Sequence, residues 1–176
     1  MEKSQLFKEL QNRLISLLKD SAIAEARLNR ITQNRGSIED AIAVYNFAVS
    51  QDILHLDASS ARGIINPEIL SRFRTSLARY MEENGPANPG YKTYISIICE
   101  YLAMVVQKPL HPPYIRHFKN NPPEDEDRAA RWYCAFRTES TKAPYALCKF
   151  CNSIPWPDKP AETAADVMCY FVLPRL

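Results

Sequence analysis

The sequence predicts a mainly α-helical protein: an N-terminal helical bundle over residues 1–108, then a proline-rich, irregular, cysteine-containing region over residues 109–176. Three observations predict it. Apolar residues in the first part recur at three- and four-residue spacing, the period of one buried helical face. Two Asn-Pro pairs in that part mark helix starts, because an asparagine caps well and a proline loses nothing at the first helical position. From Pro109 onward come ten of the 13 prolines, both tryptophans and four of the five cysteines, but none of the four glycines. The second part is expected to pack on the first as one compact unit.

The helices follow in order. Phe7, Leu10, Leu14 and Leu17 form the seam of the first, with a break expected at Asp20-Ser21. Ile23, Leu28 and Ile31 give a weaker pattern that ends at Gly36. Ser37-Ile38-Glu39-Asp40 reads as a capping box, and Ile38, Ala41, Ile42, Tyr45, Val49, Ile53 and Leu56 continue its core face. Asn66-Pro67 opens a helix with Leu70, Phe73, Leu77 and Tyr80 inward, stopped at Asn84-Gly85-Pro86. Asn88-Pro89 opens another with Tyr94, Ile98, Leu102 and Val105 inward, stopped at Lys108-Pro109. Four or five helices with short connections read as a bundle.

Beyond that point Pro109-Leu110-His111-Pro112-Pro113 is stiff and extended. Glu124 to Asp127 open an expected helix through Arg131 and Tyr133, Cys148 to Cys151 sit on an expected turn, and a short helix is expected from Glu162 to Phe171.

Composition excludes several classes. Residues 1–108 carry 13 Lys/Arg against 12 Asp/Glu, and residues 109–176 carry 9 against 8. Neither part has the positive excess that phosphate-backbone binding draws on, so a nucleic-acid partner is not expected. The richest apolar stretch, Tyr94 to Val106, is broken by Ser96 and Glu100 and is too short to span a bilayer. Met1-Glu2-Lys3-Ser4-Gln5 leads into a charged amphipathic pattern rather than a secretion signal, so a reducing cytoplasm is the expected compartment. There cysteines serve more often as thiols or metal ligands than as disulfides. Gly-rich phosphate loops, HExxH and GxSxG are missing from the sequence.

Cys148-Lys149-Phe150-Cys151 is the motif with direct chemical content. Two thiolates at this spacing grip one metal ion from a tight turn, as in zinc and iron–sulfur sites. A tetrahedral site needs four ligands. Cys134, with 13 residues between it and Cys148, supplies a third, and Cys169, His111 and His117 compete for the fourth place. The competing reading makes the cysteines small buried hydrophobes, most strongly for Cys99 on its helix seam and for Cys169 beside Ala165 and Val172.

Lys108-Pro109-Leu110-His111-Pro112, Tyr133-Cys134 and Leu147-Cys148-Lys149-Phe150-Cys151, in that order, resemble an uncharacterised domain-of-unknown-function family of methanogenic archaea. The resemblance covers roughly the C-terminal half, and the N-terminal half is compatible with it. It departs from the pattern at Pro113-Tyr114, where a glycine-containing turn is expected, which bears on how His111 is presented. The resemblance implies an anaerobic cytosol, groups Cys134, Cys148 and Cys151, and implies no known reaction.

The functional expectation is therefore a metal-stabilised accessory or interaction protein, holding zinc or an iron–sulfur cluster and working with a protein partner. An iron–sulfur redox protein is the alternative. A metal-dependent enzyme ranks behind both, with Glu100, Glu139 or His117 as base. The nucleobase deaminases are set aside, since Leu147 stands where their P-C-x-x-C needs proline.

Overall fold

The computed structural model describes residues 1–20, 22–25, 38–111, 113–115, 132–134, 146–155 and 169–171. The chain divides into two compact units, Met1–Gln107 and Lys108–Leu176.

The first unit is helical. Helix α1 spans Lys3–Leu17 and buries Leu6, Phe7, Leu10 and Leu14, with Leu17 half-buried. Its start is capped by the Gln5 side chain, whose Oε1 accepts the Glu2 N–H at 3.3 Å. Met1 to Lys3 also lie beside Gly63 to Ile65: Ile65 N–H donates to the Met1 carbonyl at 2.8 Å and Lys3 N–H to the Gly63 carbonyl at 3.0 Å. Gly63 has a φ of +110°, a backbone conformation that side chains other than glycine resist. Residues 22–25 form a helical turn whose Ile23 is buried. A Cβ at Gly90 would strike the Ile23 side chain, so glycine permits that close approach.

Helix α2 spans Ile38–His55. The expected Ser37 cap and the Leu28–Ile31 pattern lie outside the described residues. Val49 and Ile53 are buried as the spacing requires, and so are Asn46 and Ser50. Leu56 is a correction: it is 48% exposed, one residue past the helix end, where its carbonyl turns to accept Gln11 Nε2 at 2.7 Å. A 3-10 turn, Ala58–Ser60, is capped by Asp57.

Helix α3, Pro67–Asn84, and helix α4, Pro89–Glu100, start as expected, with Asn66 accepting the Glu68 N–H at 2.8 Å and Asn88 the Tyr91 N–H at 3.0 Å. Leu70, Phe73 and Leu77 are buried. Tyr80 is 37% exposed, because the seam continues from Leu77 to Met81, four residues on, rather than to Tyr80, three on. Tyr94, Ile98, Leu102 and Val105 are all buried.

The sequence gives no warning that α4 continues as a π-helix, Tyr101–Val106. Gln107 N–H bonds back to the Leu102 carbonyl, and Gln107 itself is left-handed, with φ 53° and ψ 45°. The wider turn buries five consecutive residues, Tyr101 to Val105. Tyr101 packs on Phe7 with ring centroids 5.0 Å apart, tying the start of the π-helix to α1. No helix among the described residues is long and apolar enough to cross a membrane.

The second unit holds a four-stranded sheet of very short strands: β1 (Pro113–Ile115), β2 (Trp132–Cys134), β3 (Ile154–Pro155) and β4 (Cys169–Phe171), in the order β1-β4-β2-β3. Two sequence expectations are corrected here. Tyr133 and Phe171 were expected at the ends of helices and lie instead in paired strands. The segments Trp-Tyr-Cys and Cys-Tyr-Phe are rich in residues that suit a pleated surface, and that preference prevails over helical reach from the preceding acidic residues. Residues 116–131 and 156–168 lie outside the described set. The protein is mainly helical, and its C-terminal unit carries the sheet.

Candidate metal centre

Cys148 lies within the 3-10 turn Leu147–Phe150, and Cys151 follows it in extended conformation. Lys149 N–H donates to the Ala146 carbonyl and Cys151 N–H to the Cys148 carbonyl, each at 3.2 Å. The Cys-x-x-Cys therefore sits on a tight turn, as its spacing requires. Cys148 is half-buried and Cys151 is buried. The Cys151 thiol donates to Ser153 Oγ at 3.3 Å, and Ser153 is itself 2% exposed. Sequence reasoning did not pick out Ser153, a common residue type two positions past the motif.

From Ser153 the chain enters β3, which pairs in parallel with β2 so that Cys134 is in register with Pro155. Strand β2 pairs antiparallel with β4 through Trp132–Phe171 and Tyr133–Tyr170. One further step in that register puts Cys134 across from Cys169. Cys169 is also in register with Pro113 of β1, two residues after His111. The sheet thus gathers the backbone positions of Cys134 and Cys169, and the turn carrying Cys148 and Cys151 runs directly into it.

His111 lies half-buried at a bend ahead of β1. Burial pushes its imidazole below the ordinary value of 6.5, favouring the neutral form in which histidine ligates metals. His117 lies outside the described residues. Among the described residues, no three His, Cys, Asp or Glu side chains gather closely enough to hold a metal ion. Cys99 lies half-buried on α4.

A second polar centre lies in the helical unit and was not singled out as one in the sequence. Glu100 is 2% exposed. Its Oε1 accepts from Arg74 Nε at 2.8 Å and also from Arg74 Nη2, and its Oε2 lies 3.5 Å from Arg13 Nη1. Glu9 joins both arginines, at 3.1 Å from Arg74 and 3.6 Å from Arg13. Burial works against the charge of Arg74, but the hydrogen bond and charge of Glu100, with those of Glu9, outweigh it and raise the guanidinium above its ordinary value. The sequence signal was the lone acidic residue breaking the apolar run from Tyr94 to Val106.

The profile of a family described as "uncharacterized protein conserved in archaea (DUF2115)" matches residues 3–154. The chain belongs to this archaeal family. A relative from Methanocaldococcus jannaschii, UPF0305 protein MJ0646, is 29% identical over 87 residues, which cover 49% of this chain and 51% of the relative. The chain thus matches about half the length of that curated relative. No solved structure matches. The family has no assigned activity in its description.

Proposed function

We propose that this family member is a metal-stabilised accessory protein of the reducing cytoplasm. In this reading Cys134, Cys148, Cys151 and Cys169 hold zinc or an iron–sulfur cluster, and the ordered protein serves a protein partner. The observation that carries it is the register of β2 and β4, whose pairs Trp132–Phe171 and Tyr133–Tyr170 lead, one step on, to Cys134 opposite Cys169. Opposed positions in an antiparallel pair have Cβ atoms about 4.5–5.5 Å apart. Two thiolates sharing one tetrahedral ion, each at about 2.3 Å, need sulfurs roughly 3.8 Å apart, within reach of that spacing.

The Cys148–Cys151 turn adds the second pair of donors, and its chain continues into the strand beside Cys134. Strands of two or three residues supply little order by themselves, and ligand bonds add order where packing is thin. An all-cysteine set suits both zinc and a cluster, and a cluster would make electron transfer the second reading.

The test is elemental analysis with an absorption spectrum of protein purified without oxygen. Stoichiometric zinc in a colourless protein supports the structural reading. Iron with sulfide and visible absorption supports the redox reading. Protein free of zinc and iron would overturn both.

A further inference from the structure

The opposed positions of Cys134 and Cys169 have a second chemical consequence. Directly opposite residues of an antiparallel pair have Cα atoms about 4.5 or 5.5 Å apart, depending on the hydrogen-bonding position. Both values fall inside the window of about 4.4–6.8 Å in which a disulfide closes. We propose that Cys134 and Cys169 are a redox pair, joined across β2 and β4 by thiol–disulfide exchange with a low-molecular-weight disulfide. Closing the link withdraws two of the four thiolates from the metal. The inference rests on the metal reading for its regulatory meaning, and on the strand register alone for the pairing.

The exchange balances in two displacements. One cysteine thiolate attacks a sulfur of the external disulfide, forming a mixed disulfide and releasing one small thiolate. The second cysteine thiolate then attacks the protein sulfur of that mixed disulfide, forming the Cys134–Cys169 bond and releasing the second small thiolate. The protein is oxidised by two electrons, and the external disulfide is reduced to two thiols. A metal held by the four cysteines would lose two of its donors when that bond forms.

The competing pair is Cys148 and Cys151, on one turn. Cys151 is 8% exposed and its thiol is engaged with buried Ser153, so an external disulfide has to displace a buried hydrogen bond to reach it. The sheet pair needs no change of register.

The experiment uses the full chain, purified reduced and anaerobically, then titrated with oxidised glutathione. Free thiols are blocked, the protein is digested without reductant, and linked peptides are identified by mass. A chromogenic chelator follows metal release in parallel. The expected result is a Cys134–Cys169 peptide as the first intramolecular link, loss of two hydrogens per chain, and complete metal release in step with it. Reductant should restore metal binding. A first link between Cys148 and Cys151, or only mixed disulfides at saturating oxidant, would overturn the inference, and metal analysis of the untreated protein would leave the metal reading standing. Protein that holds no metal yet forms the Cys134–Cys169 link would support the pairing while overturning the metal reading. The map of the unsubstituted chain decides the matter; Cys169→Ser should abolish the link and leave Cys134 as a mixed disulfide.

Discussion

Arg74 reaches from α3 to the buried carboxylate of Glu100, giving two guanidinium hydrogen bonds to a single oxygen. The pair joins α3 to the last residue of α4, and Arg13 and Glu9 bring α1 into the same network. Breaking a fully buried ion pair by removing one partner costs about 3–5 kcal/mol. The Arg74 side chain is 40% exposed and Arg13 stays near Glu100, so Arg74→Ala should cost less, about 2 kcal/mol. Urea unfolding of the variant checks this. The double variant Arg74→Met, Glu100→Leu should recover part of the loss, because no buried charge is then left without its partner.

Tyr101 sets an alkaline limit on the helical unit. Burial and the charge of Asp52 push its phenol up from 10.0 to about 12. The neutral form is favoured in the fold, so this stability is fully present below pH 10 and is lost as pH rises through about 12. By pH 11 the loss should be about 1.4 kcal/mol. Tyr101→Phe should be stable over the same range without that component. Equal alkaline losses in both proteins, read by urea unfolding at pH 8 and 11, would contradict the assignment.

Gln107 ends the π-helix in a left-handed conformation. Such a residue pays about 1–2 kcal/mol unless it is glycine. Gln107→Gly should therefore gain about 0.5–1 kcal/mol after its larger unfolded-state entropy is counted. Gln107→Val should lose stability, since a β-branched side chain tolerates positive φ poorly. Thermal melts of the two variants should move in opposite directions. A shared direction would mean that the conformation at 107 is not what limits stability there.

The helical seams were legible because their signal is local. Tyr94, Ile98, Leu102 and Val105 stand at helical spacing and are all buried, even though the backbone beneath the last two is a π-helix. Spacing reports which face is apolar and is insensitive to a widened turn. Leu56 and Tyr80 mark the limit of that signal: each continues a seam on paper, but one lies past a helix end and the other loses its place to Met81.

The tight turn at Cys148 and Cys151 was legible for the same local reason. The sheet was not. Strands of two or three residues are too short to show alternation, and the pairing of β2 with β4 joins segments far apart in sequence. The strand register that leads to Cys134 and Cys169 is thus a property of topology that no window of residues contains. The Glu100 network is the same kind of object, assembled from three helices, and only its lone carboxylate in an apolar run announced it.

X-ray absorption at the metal edge of anaerobically purified full-length protein tests the four-cysteine site most directly. It counts the sulfur ligands and measures their distance without a crystal. Four sulfurs are expected, at about 2.3 Å if the ion is zinc. A shell in which nitrogen or oxygen replaces any of the four, or protein that carries no metal, would contradict the four-cysteine site.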